Sequence, residues 1–220
     1  MRNIFILGAS GHGKSILDIV KAEKKYEIIG FIDSQKDVGS DYCGFPILGR
    51  ESDLNFLIQH YQVNDLIIAI GSNYHRFAAA ERIQKSYPTI QLATSIHPSA
   101  VIASDVEIGS GTVIMPHATI ITGAKIGQGC ILNTASSLDH DSVMEDWSSI
   151  APGVTTGGNV KIKMRSSVGL GSNLIHKVEI GQDTVIGAGS LILKNIPERV
   201  VAYGNPCEIV RERSIDEKYL

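Results

Sequence analysis

The chain has 220 residues, 43% hydrophobic and 20% charged, with a formal net charge of −3, which suits a globular protein of one large domain or two small ones. No run of Lys or Arg exceeds two, which argues against a nucleic-acid-binding face. Three widely spaced cysteines, Cys43, Cys130 and Cys207, suit neither a disulfide framework nor a zinc cluster and fit a reducing compartment. The first apolar run, Ile4–Ala9, is too short for a signal-peptide core, and nothing approaches 18 apolar residues, so a cytoplasmic chain without a membrane span is expected.

Along the chain, Asn3–Leu7 reads as a buried strand, His12–Lys24 as a helix opened by a glycine turn, and Glu27–Ile32 as a second strand. Glu51–His60 follows as a helix, Asp65–Ile70 as a strand and Tyr74–Lys85 as a further helix. Strands alternating with helices imply a small Rossmann-like parallel α/β sheet over residues 1–95. The turn after the first strand, GASGHGKS at 8–15, reads in more than one way. As Gly8-x-x-x-x-Gly13-Lys14-Ser15 it fits the phosphate loop of nucleotide hydrolases. Those enzymes also need an apolar strand ending in a magnesium-holding Asp, and Leu66–Ile70 ends in Gly71-Ser72-Asn73. As Gly8-x-x-Gly11-x-Gly13 it is a relative of the dinucleotide turn, where glycines admit a phosphate and the helix start supplies amide donors. A tight turn serving no ligand is the third reading. Asp33 closes the second strand 20 residues after Gly13, where an acid can bind a ribose hydroxyl or a sugar.

The grammar changes near Ser95–Pro98. From Ile96 to Ile192 every sixth residue is aliphatic or Met, with Thr156 the sole exception, and four residues after each of the first sixteen stands a small residue or Val. One large and one small inward position per hexad build a parallel β-helix over residues 96–220, each rung stacking on the next. After Ile192 the rungs stop, Asn205-Pro206 breaks the chain, and Arg211–Tyr219 is expected to form a capping helix or strand.

Glycine is frequent in the coils but absent between Gly129 and Gly153, a stretch holding Asn133, Asp139, His140, Asp141, Glu145, Asp146 and Trp147. The inward positions continue there, so the fold is kept while the outer surface becomes titratable, which marks a site. His140 stands two places after an inward residue, at an outward or corner position between two aspartates that would raise its basicity and fix its tautomer. A plain solvent-facing histidine is the alternative. His117 is read as structural or substrate-lining, and His97 as a cap on the first rung. His97, His117, His140 and His176 lie at least 20 residues apart, which does not suggest a zinc site, so no metal is expected.

Together "GASGHGK" at 8–14, "GFID" at 30–33, "AIGSN" at 69–73, the hexads, "NTASSLDHD" at 133–141 and "GNPCEIVR" at 204–211 resemble the sialic-acid O-acetyltransferase family, with its bacillosamine- and perosamine-pathway N-acetyltransferases. The resemblance covers nearly the whole chain. It implies a left-handed β-helix, a homotrimer with active sites between subunits, and acetyl-CoA as donor lying along the coils. His140 would be the general base and Asp141 would raise its basicity. Ser10, Gly11, His12, Asp33, Ser34 and Gly71 fall where the family holds a nucleotide-sugar, and Ser149, Leu170 and Ala188 where it meets acetyl-CoA. Some members carry a histidine at the place of Ser149 and a second acid at the place of Ser34. The implied reaction is N-acetylation of a nucleotide-linked amino-sugar, such as a UDP-4-amino-sugar of bacterial surface-glycan synthesis. O-acetylation of sialic acid or another free sugar, or a non-enzymatic nucleotide-binding scaffold, are the other readings.

Overall fold

The computed structural model describes residues 1–217. Its N-terminal unit runs β1 (Arg2–Leu7), α1 (Gly11–Glu23), β2 (Tyr26–Ile32), β3 (Asp41–Tyr42), β4 (Phe45–Gly49), a 3-10 turn (Glu51–Asp53), α2 (Leu54–Tyr61), β5 (Asp65–Ile68), α3 (Asn73–Ser86) and β6 (Gln91–Leu92). The sheet order is β3-β4-β2-β1-β5-β6, parallel except for the β3–β4 hairpin. Alternate residues of β1 feed two cores. Ile4 and Ile6 pack with Ile16, Leu17 and Val20 of α1 on one side, and Phe5 and Leu7 pack with Leu54, Leu57, Ala79, Ala80 and Ile83 of α2 and α3 on the other. A parallel strand covered on both faces reads as a continuous apolar run. The β3–β4 hairpin has no counterpart in the sequence reading, because its apolar residues, among them Tyr42, Phe45, Ile47 and Leu48, lie scattered in a polar, glycine-bearing stretch.

From Ser95 the chain winds through seventeen two-residue strands, β7 (Ser95–Ile96) to β23 (Leu191–Ile192). They form three parallel sheets, the first, second and third faces of a triangular prism visited in turn. Val113 pairs with Ile131 and Ile131 with Ser149, so each coil takes eighteen residues. This is the parallel β-helix that the hexads imply, with the left hand that the resemblance implies. The second residue of each strand points inward, and Ile114, Leu132, Ile150 and Val168 stack into one column of the core at 0% exposure. The small inward positions carry buried hydroxyls that find backbone partners: Thr112 Oγ1 donates to the Gly127 carbonyl at 2.8 Å and Ser148 Oγ to that of Glu145 at 2.6 Å. A buried hydroxyl is tolerated when it is so satisfied.

Above β23 the top coil is closed by β24 (Val200–Tyr203), parallel to the first-face strand Val185–Ile186, and by β25 (Glu208–Glu212), antiparallel to β24. The cap is therefore a hairpin around Asn205-Pro206 rather than an element over Arg211–Tyr219; Lys218 and Tyr219 lie outside the described residues.

The N-terminal unit docks on the first face. Arg76, 1% exposed, donates from Nε to the Gly129 carbonyl at 2.8 Å and from Nη2 to that of Trp147 at 3.1 Å. Asn73 Nδ2 donates to Ser149 Oγ at 3.0 Å and to the Ser166 carbonyl at 2.9 Å. Trp147 meets Phe77 edge-on and joins the N-terminal core. A Cβ on Gly129 would lie 2.2 Å from the Trp147 ring, so only glycine leaves room for the indole. Among the described residues no helix is long and apolar enough to cross a membrane.

Leu132→Ala, in the middle of the inward column, should lower unfolding stability by roughly 2–5 kcal/mol; chemical denaturation followed by circular dichroism measures it, and a loss under 1 kcal/mol would mean the column is not tightly packed.

Candidate active site

The parallel strands β4, β2, β1 and β5 end on the same side of the N-terminal sheet, and a cleft of about 300 Å³ opens there. It is lined by Leu7, Gly8, Ser10, Ile32, Asp33, Ser34, Glu51, Ala69, Ile70, Gly71 and Arg82. This is the crevice outside the carboxyl ends of the strands, where open α/β sheets hold ligands. The first turn removes one of the three readings of GASGHGKS. Helix α1 starts at Gly11, so Gly13, Lys14 and Ser15 belong to its first turn, and the Lys14 ammonium lies over the Tyr42 ring, 5.7 Å from its centroid. No acid follows β5 in Ala69–Asn73. The hydrolase arrangement is absent. Gly13 and Gly8 serve close packing, since a Cβ on Gly13 would stand 2.4 Å from the Gly8 carbonyl oxygen, whereas Gly11 faces open space above the helix start. The Ser10 side chain makes no capping bond, leaving its hydroxyl and the first amides of α1 for an anionic group.

Asp33 shapes the same turn. Its Oδ2 accepts from Ala9 N at 2.7 Å and its Oδ1 from Gln35 N at 2.8 Å. Burial would raise its carboxyl, but the Ala9, Gln35 and Lys36 amides and the Lys36 charge outweigh that and hold it below the usual carboxylate range. Asp33 is thus an anion that fixes the turn between β1 and α1 while lining the cleft. Ser10, Asp33, Ser34 and Gly71 lie in the cleft wall; Gly11 and His12 do not. His12 points into the molecule, where burial and then the Arg76 charge push its imidazole down to about 4. Its Nε2 is buried without a hydrogen-bond partner among the described residues.

His140 sits on the edge between the second-face strand Ser137–Leu138 and the third-face strand Val143–Met144. Its ring is 50% exposed and Nδ1 lies 2.8 Å from Asp141 Oδ2. With Nδ1–H donating to that carboxylate, the lone pair of the neutral ring lies on Nε2. The hydrogen bond to Asp141, with the charges of Asp139 and Asp141, raises the imidazole above its ordinary value against slight desolvation. Two glycines one coil away seat this pair. A Cβ on Gly158 would lie 2.3 Å from His140 Nε2, and one on Gly123 2.5 Å from Asp141 Oδ1. Asp141 itself adopts φ +56, a left-handed backbone that costs about 1–2 kcal/mol away from glycine and turns its carboxylate back onto the ring.

Leu170 and Ala188 are stacked one coil apart on a different edge, between the first and second faces, and both are exposed. No hydrogen-bond partner is seen for either N–H among the described residues, which suits the amide carbonyls of an extended thioester carrier. Ser149 is 7% exposed on the first face, its hydroxyl held by Asn73 and by Ser167. The first face lies opposite the His140 edge, so one chain does not bring Ser149, the cleft and His140 together.

The glycine-free stretch therefore divides. Half-buried Asp139 and exposed His140 and Asp141 form one cluster, while Trp147 is buried in the domain junction and Asp146 Oδ1 accepts from Gln128 N at 2.8 Å. Its lack of glycine is no signal by itself, since His117, Arg165 and Lys177 also hold positive φ at corners elsewhere. The sequence reading passed over Glu51 and Arg82, which face each other across the cleft from elements 31 residues apart; no local pattern links them. Among the described residues no group of three His, Cys, Asp or Glu is placed to hold a metal ion.

Residues 3–83 match the model of the PglD N-terminal domain. The fold superposes on the acetyltransferase domain of PglB from Neisseria gonorrhoeae, solved with acetyl coenzyme A, with a TM-score of 0.88 at 31% identity over 95% of this chain and 99% of that one. It superposes equally on PerB from Caulobacter crescentus, solved with CoA and GDP-perosamine, with a TM-score of 0.88 at 28% identity over 96% and 98%. The UDP-N-acetylbacillosamine N-acetyltransferase of Bacillus subtilis is 34% identical over 119 residues, 52% of each chain. The chain spans 27%, 51% and 27% of the length of the first curated acetyltransferases it matches.

Because the Asp141 contact raises the His140 proton affinity, an activity that needs neutral His140 should rise with pH through that elevated value. Asp141→Asn should shift this acid limb to lower pH and lower the plateau, read from a pH–rate profile; an unmoved limb would mean the pair is not the titrating unit. Gly158→Ala, by displacing the ring, should cost turnover on the order of 10²-fold with little change in melting temperature.

Proposed function

This chain belongs to the PglD-like sugar acetyltransferases, and on that premise we propose that it moves the acetyl group of acetyl-CoA to the amino group of a nucleotide-linked amino-sugar. A UDP-4-amino-sugar of bacterial surface-glycan synthesis fits the class. The observation that carries this reading is the exposed His140–Asp141 pair, with Nδ1 on the Asp141 carboxylate and the ring seated on Gly158.

An amine arriving as an ammonium has no lone pair for attack on a thioester, so a proton must leave it. Nε2 of His140 is the acceptor, and Asp141 stabilises the imidazolium that results; the freed amine then bonds the acetyl carbon, the carbon–sulfur bond breaks, and CoA leaves as its thiol with the amine's second proton. Such general-base assistance is typically worth roughly 10²–10⁴-fold. Ser10, Asp33, Ser34 and Gly71 hold the nucleotide part in the cleft, with the open first turn of α1 at Gly11 and His12 beside it. The exposed Leu170 and Ala188 edge carries the donor, and Ser149 marks the adjoining face.

The three parts stand on different sides of one chain: the cleft on the unit docked to the first face, the donor residues on the first–second edge, His140 on the second–third edge. A homotrimer would bring the His140 edge of one copy to the cleft of the next. The outward residues of the second face support such packing, being the uncharged Val101, Thr119, Ser137, Thr155, Asn173 and Leu191, whereas the third face displays Glu107, Lys125, Lys161 and Glu179. Cytoplasmic location follows from the donor, which is a cytoplasmic metabolite.

The test is an acceptor panel of nucleotide-linked amino-sugars and free sialic acid, assayed for CoA release. Acetylation of sialic acid but of no nucleotide-sugar would overturn the reading. His140→Ala should lower kcat by roughly 10²–10⁴-fold and leave the fold and nucleotide affinity intact. Mixed oligomers of His140→Ala and Asp33→Asn chains should recover activity that neither has alone, because some sites then pair an intact cleft with an intact imidazole; no recovery would place the whole site within one chain.

A further inference from the structure

The cleft has one feature that neither the phosphate turn nor Asp33 explains. Glu51, in the turn after β4, and Arg82, on α3, meet across it in a two-point ion pair, Nε to Oε1 at 3.0 Å and Nη2 to Oε2 at 3.0 Å. The cleft lining also includes the apolar Leu7, Ile32, Ala69 and Ile70. An apolar lining with a polar end suits a planar heterocycle. The pair is not spent on itself. Among the described residues Arg82 Nη1 has no hydrogen-bond partner, and each carboxylate oxygen retains an acceptor site,.

The direction along the cleft can be read from α3. Its first turn faces the β-helix through Asn73 and Arg76, and Arg76 Nη1 also holds the carbonyls of Ile70 and Gly71. The Gly71 end of the cleft is therefore the end beside the β-helix. Arg82 lies six residues further along the helix, about 9 Å at 1.5 Å per residue. A ligand whose sugar must reach the acetyl donor places its sugar at the Gly71 end and its opposite end at Glu51 and Arg82. Phosphate at the α1 start and ribose at Asp33 fill the interval.

We propose that the Glu51–Arg82 pair reads the nucleobase and selects one that presents a ring N–H beside a carbonyl, as uracil, thymine and guanine do. The carbonyl oxygen accepts from Arg82 Nη1 and the ring N–H donates to the Glu51 carboxylate. Adenine reverses both contacts: its amino group would face the guanidinium, donor to donor, and its bare ring nitrogen the carboxylate, acceptor to acceptor. Cytosine does the same at its amino edge, and at its O2 edge its bare N3 still faces the carboxylate, acceptor to acceptor. Rejection thus comes from a repulsive contact in every orientation rather than from one missing bond.

The inference rests on the nucleotide-sugar reading, and one experiment separates the two. Binding of UDP, dTDP, GDP, CDP and ADP to the full chain is measured by isothermal titration calorimetry, for the native protein and for Arg82→Met and Glu51→Gln. At least one of UDP, dTDP and GDP should bind roughly 10- to 100-fold more tightly than CDP and ADP. Each variant should bring that ratio below about threefold, mainly by weakening the favoured nucleotide. The pair is partly exposed on the surface, so both variants should fold; Arg82→Lys, which keeps the charge but not the fork, should retain at most part of the preference. Equal binding of all five, preference for CDP or ADP, or an unchanged ratio in the variants would overturn the base-reading role while leaving nucleotide binding in place. Binding of none of the five to the native protein would instead overturn the nucleotide-sugar reading and this inference with it.

Discussion

Every outward group of the β-helix stands directly beneath the group eighteen positions later, because the backbone ladder pairs Val113 with Ile131 and Ile131 with Ser149 without a slip. That ladder does more than hold the core. It delivers Gly158 above His140 and Gly123 below Asp141, so the pair is positioned by residues one coil distant that touch it through nothing but an absent side chain. The left-handed backbone at Asp141 is stable there because the ladder on both sides dictates where the corner turns. Rigid backbone supplies orientation, and the carboxylate supplies the charge that sets proton affinity.

The second organising contact is the buried fork of Arg76. One guanidinium bonds carbonyls of the cleft loop, Ile70 and Gly71, and carbonyls of two coils, Gly129 and Trp147. Desolvating such a charge is costly unless its donors are satisfied, and these are satisfied by both units at once. The position of the cleft relative to the coils is thereby set from within a single chain, before any second copy is added. His12, kept neutral beside this charge, belongs to the same buried junction and approaches the cleft only from below.

The sequence showed most clearly what repeats. The inward aliphatic series from Ile96 to Ile192 is visible because a period of six over sixteen steps has no other physical source, and the cores at Ile114, Leu132 and Ile150 lie where it puts them. The alternation of strands and helices in residues 1–95 was equally plain, and so was the cluster around His140, where three titratable residues adjoin. The sequence conveyed poorly what depends on contact between distant segments. Trp147 looked like part of a polar outer surface, yet it fills the space Gly129 leaves and completes the N-terminal core. Ser149 and Asn73 are 76 residues apart and share a hydrogen bond that no local pattern announces. Glu51 and Arg82 are ordinary helix-surface charges until the sheet brings them face to face. Letters alone also mislead where two folds share them: Gly13-Lys14-Ser15 is spelled like a phosphate loop, but the helix begins two residues too early for it.

The grip of α3 on the coils has a bearing on how such a molecule can change length over time. Asn73 and Arg76 together reach from the carbonyl of Gly129 to that of Ser166. Duplication of one eighteen-residue storey inside that interval would slide the anchoring carbonyls past a fixed side chain and detach the two halves. The same duplication above Ser190, beneath the closing hairpin, would lift only the lid. Growth or shortening of the solenoid by whole storeys is thus tolerated at the roof and forbidden in the middle, and relatives differing in height should differ there.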